Sequence, residues 1–132
     1  MNRSAKYATA IVVAHLLVNI VHGLAHRELR VGLAPLASIF VIVAIKGKIS
    51  TTTVLVWTAA KRLGLVLLSL SMFGSLLFGV YHHFLAVSPD HVHSQPLDAW
   101  GTTFVLTAYL LFITEAIGTY VGVHFLWIAK RS

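Results

Sequence analysis

The stretch Tyr7-Ala-Thr-Ala-Ile-Val-Val-Ala-His-Leu-Leu-Val-Asn-Ile-Val-His-Gly-Leu-Ala-His26 is apolar enough for lipid, yet it carries His15, Asn19, His22 and His26. At about 100° per residue, these four side chains fall inside an arc of roughly 60° on a single helix. Polar residues placed without purpose would scatter around the helix. A stripe rich in imidazole on an otherwise lipid-compatible helix predicts that this face looks into protein, a cavity or a cofactor.

The rest of the chain has the same character. Of 132 residues, 58% are apolar and 11% charged, and the mean hydropathy is +0.84, far from the balance of a water-soluble domain. Long apolar runs at residues 7–25, 63–87 and 97–128 can each cross a hydrocarbon core of about 30 Å. A shorter run at 31–45 would rise only about 22 Å as a helix and would need Lys46 and Lys48 to reach back to the headgroups. The expected fold is therefore an all-α integral membrane protein, a single domain of four transmembrane helices in an up-down bundle. The helices are expected at about 5–26, 31–46, 62–87 and 98–129, with an extracytoplasmic loop at 88–97. Residues 49–60, with Thr51, Thr52, Thr53 and Trp57, are too few to span and are expected in the interface or as an extension of the third helix.

Charge supplies an orientation. With four spans, Arg3, Lys6, Lys46, Lys48, Lys61, Arg62, Lys130 and Arg131 share one side, and Arg27 and Arg30 lie on the other. Both termini are then expected in the cytoplasm, in a bacterial inner membrane or its equivalent. The net charge of +6 is spread over helix ends, without the concentrated basic face that nucleic-acid binding needs. The chain has no cysteine, which excludes disulfides and thiolate metal sites. The first 26 residues resemble a signal peptide in having Arg3 and Lys6 before an apolar run, but a signal core needs no histidine stripe, so a retained helix is expected.

Six of the eight histidines, His22, His26, His82, His83, His91 and His93, are expected at the extracytoplasmic end. On the third long run, Gly64, Ser71, Ser75 and His82 lie within about 40° of one another, which directs His82 inward and leaves His83, about 100° away, at the edge. Imidazoles four residues apart on a helix can share one ion, so His22 and His26 with His82 form the leading metal set. His83 and the loop groups Asp90, His91 and His93 are further potential ligands or an access loop. His15, Asn19 and Glu115 are assigned to the surroundings of the site or to a proton path. Without sulfur ligands, the expected ion is Cu(II), Zn(II), Ni(II) or Fe(II).

Haem is the second cofactor considered, held between His15 and His124 or between His22 and His82, an architecture similar to that of bis-histidine membrane cytochromes. Glu115 raises a different class of function, because a carboxylate within a membrane span suits proton carriage. A compact four-helix chain with one membrane glutamate resembles the small multidrug transporters, although their glutamate lies in the first helix and this one in the fourth. The alternative functions are accordingly a proton-coupled transporter or small-molecule binder, or an accessory subunit of a larger membrane complex. Gly118 and Gly122 fit the close-packing pattern of glycines four apart, within the bundle or in a homodimer. No His-Glu-x-x-His, phosphate-binding glycine loop or Gly-x-Ser-x-Gly turn is present, so no hydrolytic chemistry is read here.

Overall fold

The structure, a computed structural model, describes residues 3–32, 38–39, 43 and 48–131, without the side chains of residues 48–50. Its helices are α1 (Arg3–Glu28), α2 (Lys48–Val56), α3 (Lys61–Val80) and α4 (Ala99–Arg131). A π-helical turn, Tyr81–Leu85, extends α3, and a short 3-10 turn, Val92–Ser94, lies in the following loop. No strand occurs among the described residues. Three helices, Arg3–Glu28, Lys61–Leu85 and Ala99–Arg131, are long and apolar enough to cross a membrane. Most of the fourth span expected at 31–46 lies outside the described residues. The α2 helix is a separate nine-residue element and too short to span.

Why these segments form helices follows from their composition and their ends. Ala, Leu, Val and Ile fill the turns, and in lipid the backbone must satisfy its own hydrogen bonds, which a helix does completely. Asp98 Oδ1 accepts the Gly101 N–H at 2.8 Å and so caps the start of α4, while Lys130 and Arg131 complement the negative pole of its last turn. Gly101 is needed there, because a Cβ would run into the Pro96 carbonyl. The α1 helix ends where Arg30 turns left-handed at φ 52°. The N–H groups of Arg30 and Val31 then bond the carbonyls of Arg27 and His26 at 3.2 and 3.0 Å, closing the end of the helix.

The helix α4 is central, with α1 against one side and α3 against the other. Both neighbours run antiparallel to it: His15 meets Thr114 and His22 meets Thr107 on α1, and Met72 meets Gly118 and Ser69 meets Gly122 on α3. Gly118 and Gly122 are thus buried inside the bundle, where they let α3 and α4 approach closely. The glycine pair thus serves a contact within the bundle.

The two ends of the bundle differ sharply. At one, α2 lies across the starts of α1 and α3, with Val56 against Gly64 and the Trp57 indole N–H donating to Thr9 Oγ1 at 3.0 Å. Ala5, Ala8, Val12, Val56, Leu65, Leu68 and Met72 form a dry core there. The described basic residues Arg3, Lys6, Lys61, Arg62, Lys130 and Arg131 belong to this end, and Arg131 lies 3.6 Å over the Trp127 ring. The polar core lies towards the opposite end. Leu17, Ile20, Leu24, Leu70, Leu77, Leu106 and Ile113 cover the outer surface, an exposure that suits contact with acyl chains.

Candidate metal centre

Hydroxyl groups on α4 determine how the histidines of α1 stand. A threonine inside a helix can donate its proton to a carbonyl one turn back, which leaves its oxygen free only to accept. Thr107 Oγ1 donates to Thr103 and Phe104 carbonyls at 2.7 and 3.0 Å. The 2.7 Å contact from His22 Nδ1 to Thr107 Oγ1 therefore carries the imidazole proton, and the lone pair of His22 lies on Nε2. That Nε2 is buried and has no hydrogen-bond partner.

His26 is held in the same tautomer by a different acceptor. Its Nδ1 lies 3.1 Å from the Val31 carbonyl, which can only accept, so Nδ1 bears a proton and the neutral ring has its lone pair on Nε2. The left-handed turn at Arg30 that ends α1 also delivers this carbonyl.

The third imidazole is that of His83. Among the described residues, one ring nitrogen from each of His22, His26 and His83 lies within 4.8 Å of the others, a grouping that could hold a metal ion. The His22 ring centroid is 4.7 Å from that of His26 and 4.9 Å from that of His83. Phe104, fully buried, packs against all three, at 4.7, 4.8 and 5.5 Å. The donor set is nitrogen without sulfur and is shielded by an aromatic ring, which suits borderline divalent ions such as Zn²⁺.

His83, not His82, enters this group, and both lie on the π-helical turn. The Ala86 N–H reaches the Tyr81 carbonyl at 2.7 Å, five residues back, so the turn accommodates one residue more than an α-helical count allows. The inward position expected for His82 is taken by His83, which lies in line with the buried Leu65 and Met72 on α3. His82 is half-buried beside Phe78 and Tyr81, at centroid distances of 4.2 and 5.1 Å. The signal in the sequence was the His82-His83 pair itself, which makes the outcome depend on a single residue of register.

Of the loop residues, Asp90 reaches the centre. Its Oδ1 lies 3.2 Å from His26 Nε2 and 3.5 Å from His83 Nδ1, and neither carboxylate oxygen is hydrogen-bonded. His91 instead braces the loop: its Nε2 faces the Phe84 carbonyl at 3.2 Å, and its Nδ1 accepts the His93 N–H at 3.1 Å. His93 is exposed, with its ring tilted against that of His91 at 5.3 Å.

His15, Asn19 and Glu115 form a second polar group, about 10 Å deeper along α1 by helical rise. Thr114, its proton spent on the Leu110 and Leu111 carbonyls, accepts from His15 Nδ1 at 3.1 Å. Asn19 Nδ2 donates to His15 Nε2 at 2.8 Å and to the His15 carbonyl at 3.1 Å, so both ring nitrogens are engaged. Glu115 is buried with Oε1 4.0 Å from His15 Nε2, and its other oxygen faces Gly79.

Neither histidine pair considered for haem comes together. In the antiparallel register that sets His15 opposite Thr114, His124 is ten residues, about 15 Å, nearer the basic end, where it stacks on Tyr120. His82 packs beside Phe78, and the surroundings of His22 are filled by His26, His83 and Phe104. Phe104 is a neighbour of the group that residue type did not single out, although its spacing of three from Thr107 on α4 places the two on one face. Compared with known protein families, with curated proteins and with solved structures, the chain finds no match, so the geometry of the site alone carries its functional reading.

Proposed function

We propose that this chain is a small integral membrane protein that binds a divalent transition-metal ion through His22, His26 and His83, for metal handling at the membrane face opposite its basic termini. The observation that carries the reading is the lone pair of His22 Nε2, buried without a partner beside two more imidazoles. A buried polar atom is almost always satisfied, and here a cation is the species that three inward-turned imidazoles can satisfy together. Closing the set around Zn²⁺ needs nitrogen separations of about 3.3 Å for tetrahedral bonds of about 2.05 Å, a side-chain adjustment from the 4.8 Å limit seen here. The basic residues at the far end support an extracytoplasmic position for the site.

Zinc titration of the detergent-purified protein, with elemental analysis of stoichiometry, tests this. Wild-type protein binds one Zn²⁺ per chain, His22→Ala and His83→Ala lose it, and His82→Ala keeps it. Wild-type protein that takes up no Zn²⁺, Cu²⁺, Ni²⁺ or Fe²⁺ overturns the proposal, as does loss of binding in His82→Ala with retention in His83→Ala.

A further inference from the structure

Between α3 and α4, the loop at residues 86–98 turns one charged side chain into the protein. Asp90 is 5% exposed, and both of its carboxylate oxygens lack a hydrogen bond. The tautomer of His26 makes this placement informative. Its Nδ1 proton is committed to the Val31 carbonyl, so a neutral His26 turns the lone pair of Nε2 toward Asp90 Oδ1, 3.2 Å away. A carboxylate facing that lone pair is two acceptors in contact, an arrangement that repels unless a proton or a metal cation lies between them, and a metal ion serves His22 and His83 as well.

The loop is braced in ways that do not depend on that carboxylate. His91 ties it to the end of α3 through the Phe84 carbonyl, and Gln95 Nε2 donates to the Pro89 and His91 carbonyls at 2.7 and 3.0 Å. Val92 is buried beneath it. The loop is therefore a small preformed plug that carries Asp90 on its inner side. His26 comes from α1, His83 from the turn after α3 and Asp90 from the loop, so a group bonded to all three joins separate elements.

We infer that Asp90 is a fourth, anionic ligand to the ion held by the three histidines, and that residues 86–98 are a lid fastened over the site by that bond. This inference rests on the reading of His22, His26 and His83 as ligands. Three neutral imidazoles leave a divalent ion with its full charge in an apolar bundle, whereas one carboxylate reduces the net charge to +1. A three-nitrogen, one-oxygen set also fits the four-coordinate geometry favoured by Zn²⁺ and adopted by Co²⁺ in its place.

Cobalt substitution in detergent-solubilised full-length protein provides the test. Wild-type protein shows the intense visible absorption of four-coordinate Co²⁺. Asp90→Asn keeps the shape of the side chain, binds Co²⁺ more than about 100-fold more weakly, beyond the 10- to 100-fold typical of outer-shell partners, and shifts the spectrum as water replaces the ligand. His93→Ala, on the exposed side of the same loop, changes neither. An unchanged Co²⁺ spectrum in Asp90→Asn overturns the inference. Amide hydrogen exchange needs no variant: Zn²⁺ protects residues 86–98 of the wild-type chain, and equal exchange with and without Zn²⁺ refutes the lid. If the wild-type chain takes up no Co²⁺ or Zn²⁺, the three-histidine reading itself fails; if it binds the ion and Asp90→Asn binds it identically, only the fourth ligand and lid fail.

Discussion

His22 Nδ1 lies 2.7 Å from Thr107 Oγ1, across the contact between α1 and α4, and the threonine proton is already committed to its own helix. The hydroxyl thus acts as a fixed acceptor that sets the tautomer of His22 and leaves Nε2 as the lone pair in the centre. Seven residues deeper on α1, His15 meets Thr114 in the same way. There Asn19 occupies the second nitrogen, which separates a satisfied histidine from an available one.

Replacing Thr107 by Val removes the acceptor while keeping the shape. The buried Nδ1–H is then unsatisfied, at a cost of about 1–3 kcal/mol, and the ring is free to turn. Thr107→Val should melt at a lower temperature and bind Zn²⁺ about 10- to 100-fold more weakly, as expected for an outer-shell partner. Thr107→Ser should recover most of the binding. Equal Zn²⁺ affinity in all three proteins would show that the hydroxyl does not orient the ligand.

Arg30 stands at φ 52°, where a side chain costs about 1 kcal/mol or more relative to glycine. Arg30→Gly should therefore stabilise the fold by up to about 1 kcal/mol, read from reversible unfolding in mixed micelles. Arg30→Val should destabilise it and, because the next carbonyl orients His26, should also weaken Zn²⁺ binding. Loss of stability in the glycine variant would contradict the assignment of strain.

The two glycines of α4 should respond unequally. A Cβ at Gly118 would lie 2.7 Å from Met72 Cγ, on a flexible side chain, whereas one at Gly122 would meet Ser69 Oγ and lie 3.0 Å from the Leu65 backbone carbonyl. Gly122→Ala should cost about 1–3 kcal/mol by overpacking, and Gly118→Ala distinctly less. Thermal unfolding of both variants checks the order, and the reverse order would argue against this register of α3 on α4.

The helical class and the polar stripe on the first long segment were legible in the sequence, because a period of 3.6 residues in an apolar run is a local property. So was the contrast between ends, since charge stays where helices end. The expected helices at 5–26, 62–87 and 98–129 correspond to the observed Arg3–Glu28, Lys61–Leu85 and Ala99–Arg131, with end shifts of one to two residues.

Only the folded chain decided which residues face the centre. His82 and His83 are neighbours on one turn, and only the packing of α3 against its partners shows that His83 joins His22 and His26. Likewise, Asp90, His91 and His93 are equal candidates in the loop sequence, and only the folded loop brings Asp90 to His26 and His83 while His91 braces the backbone. The sequence determines a helix face through local geometry; the atoms that meet across faces depend on register between helices, which is set by close contacts such as Gly122 on Ser69 and His22 on Thr107.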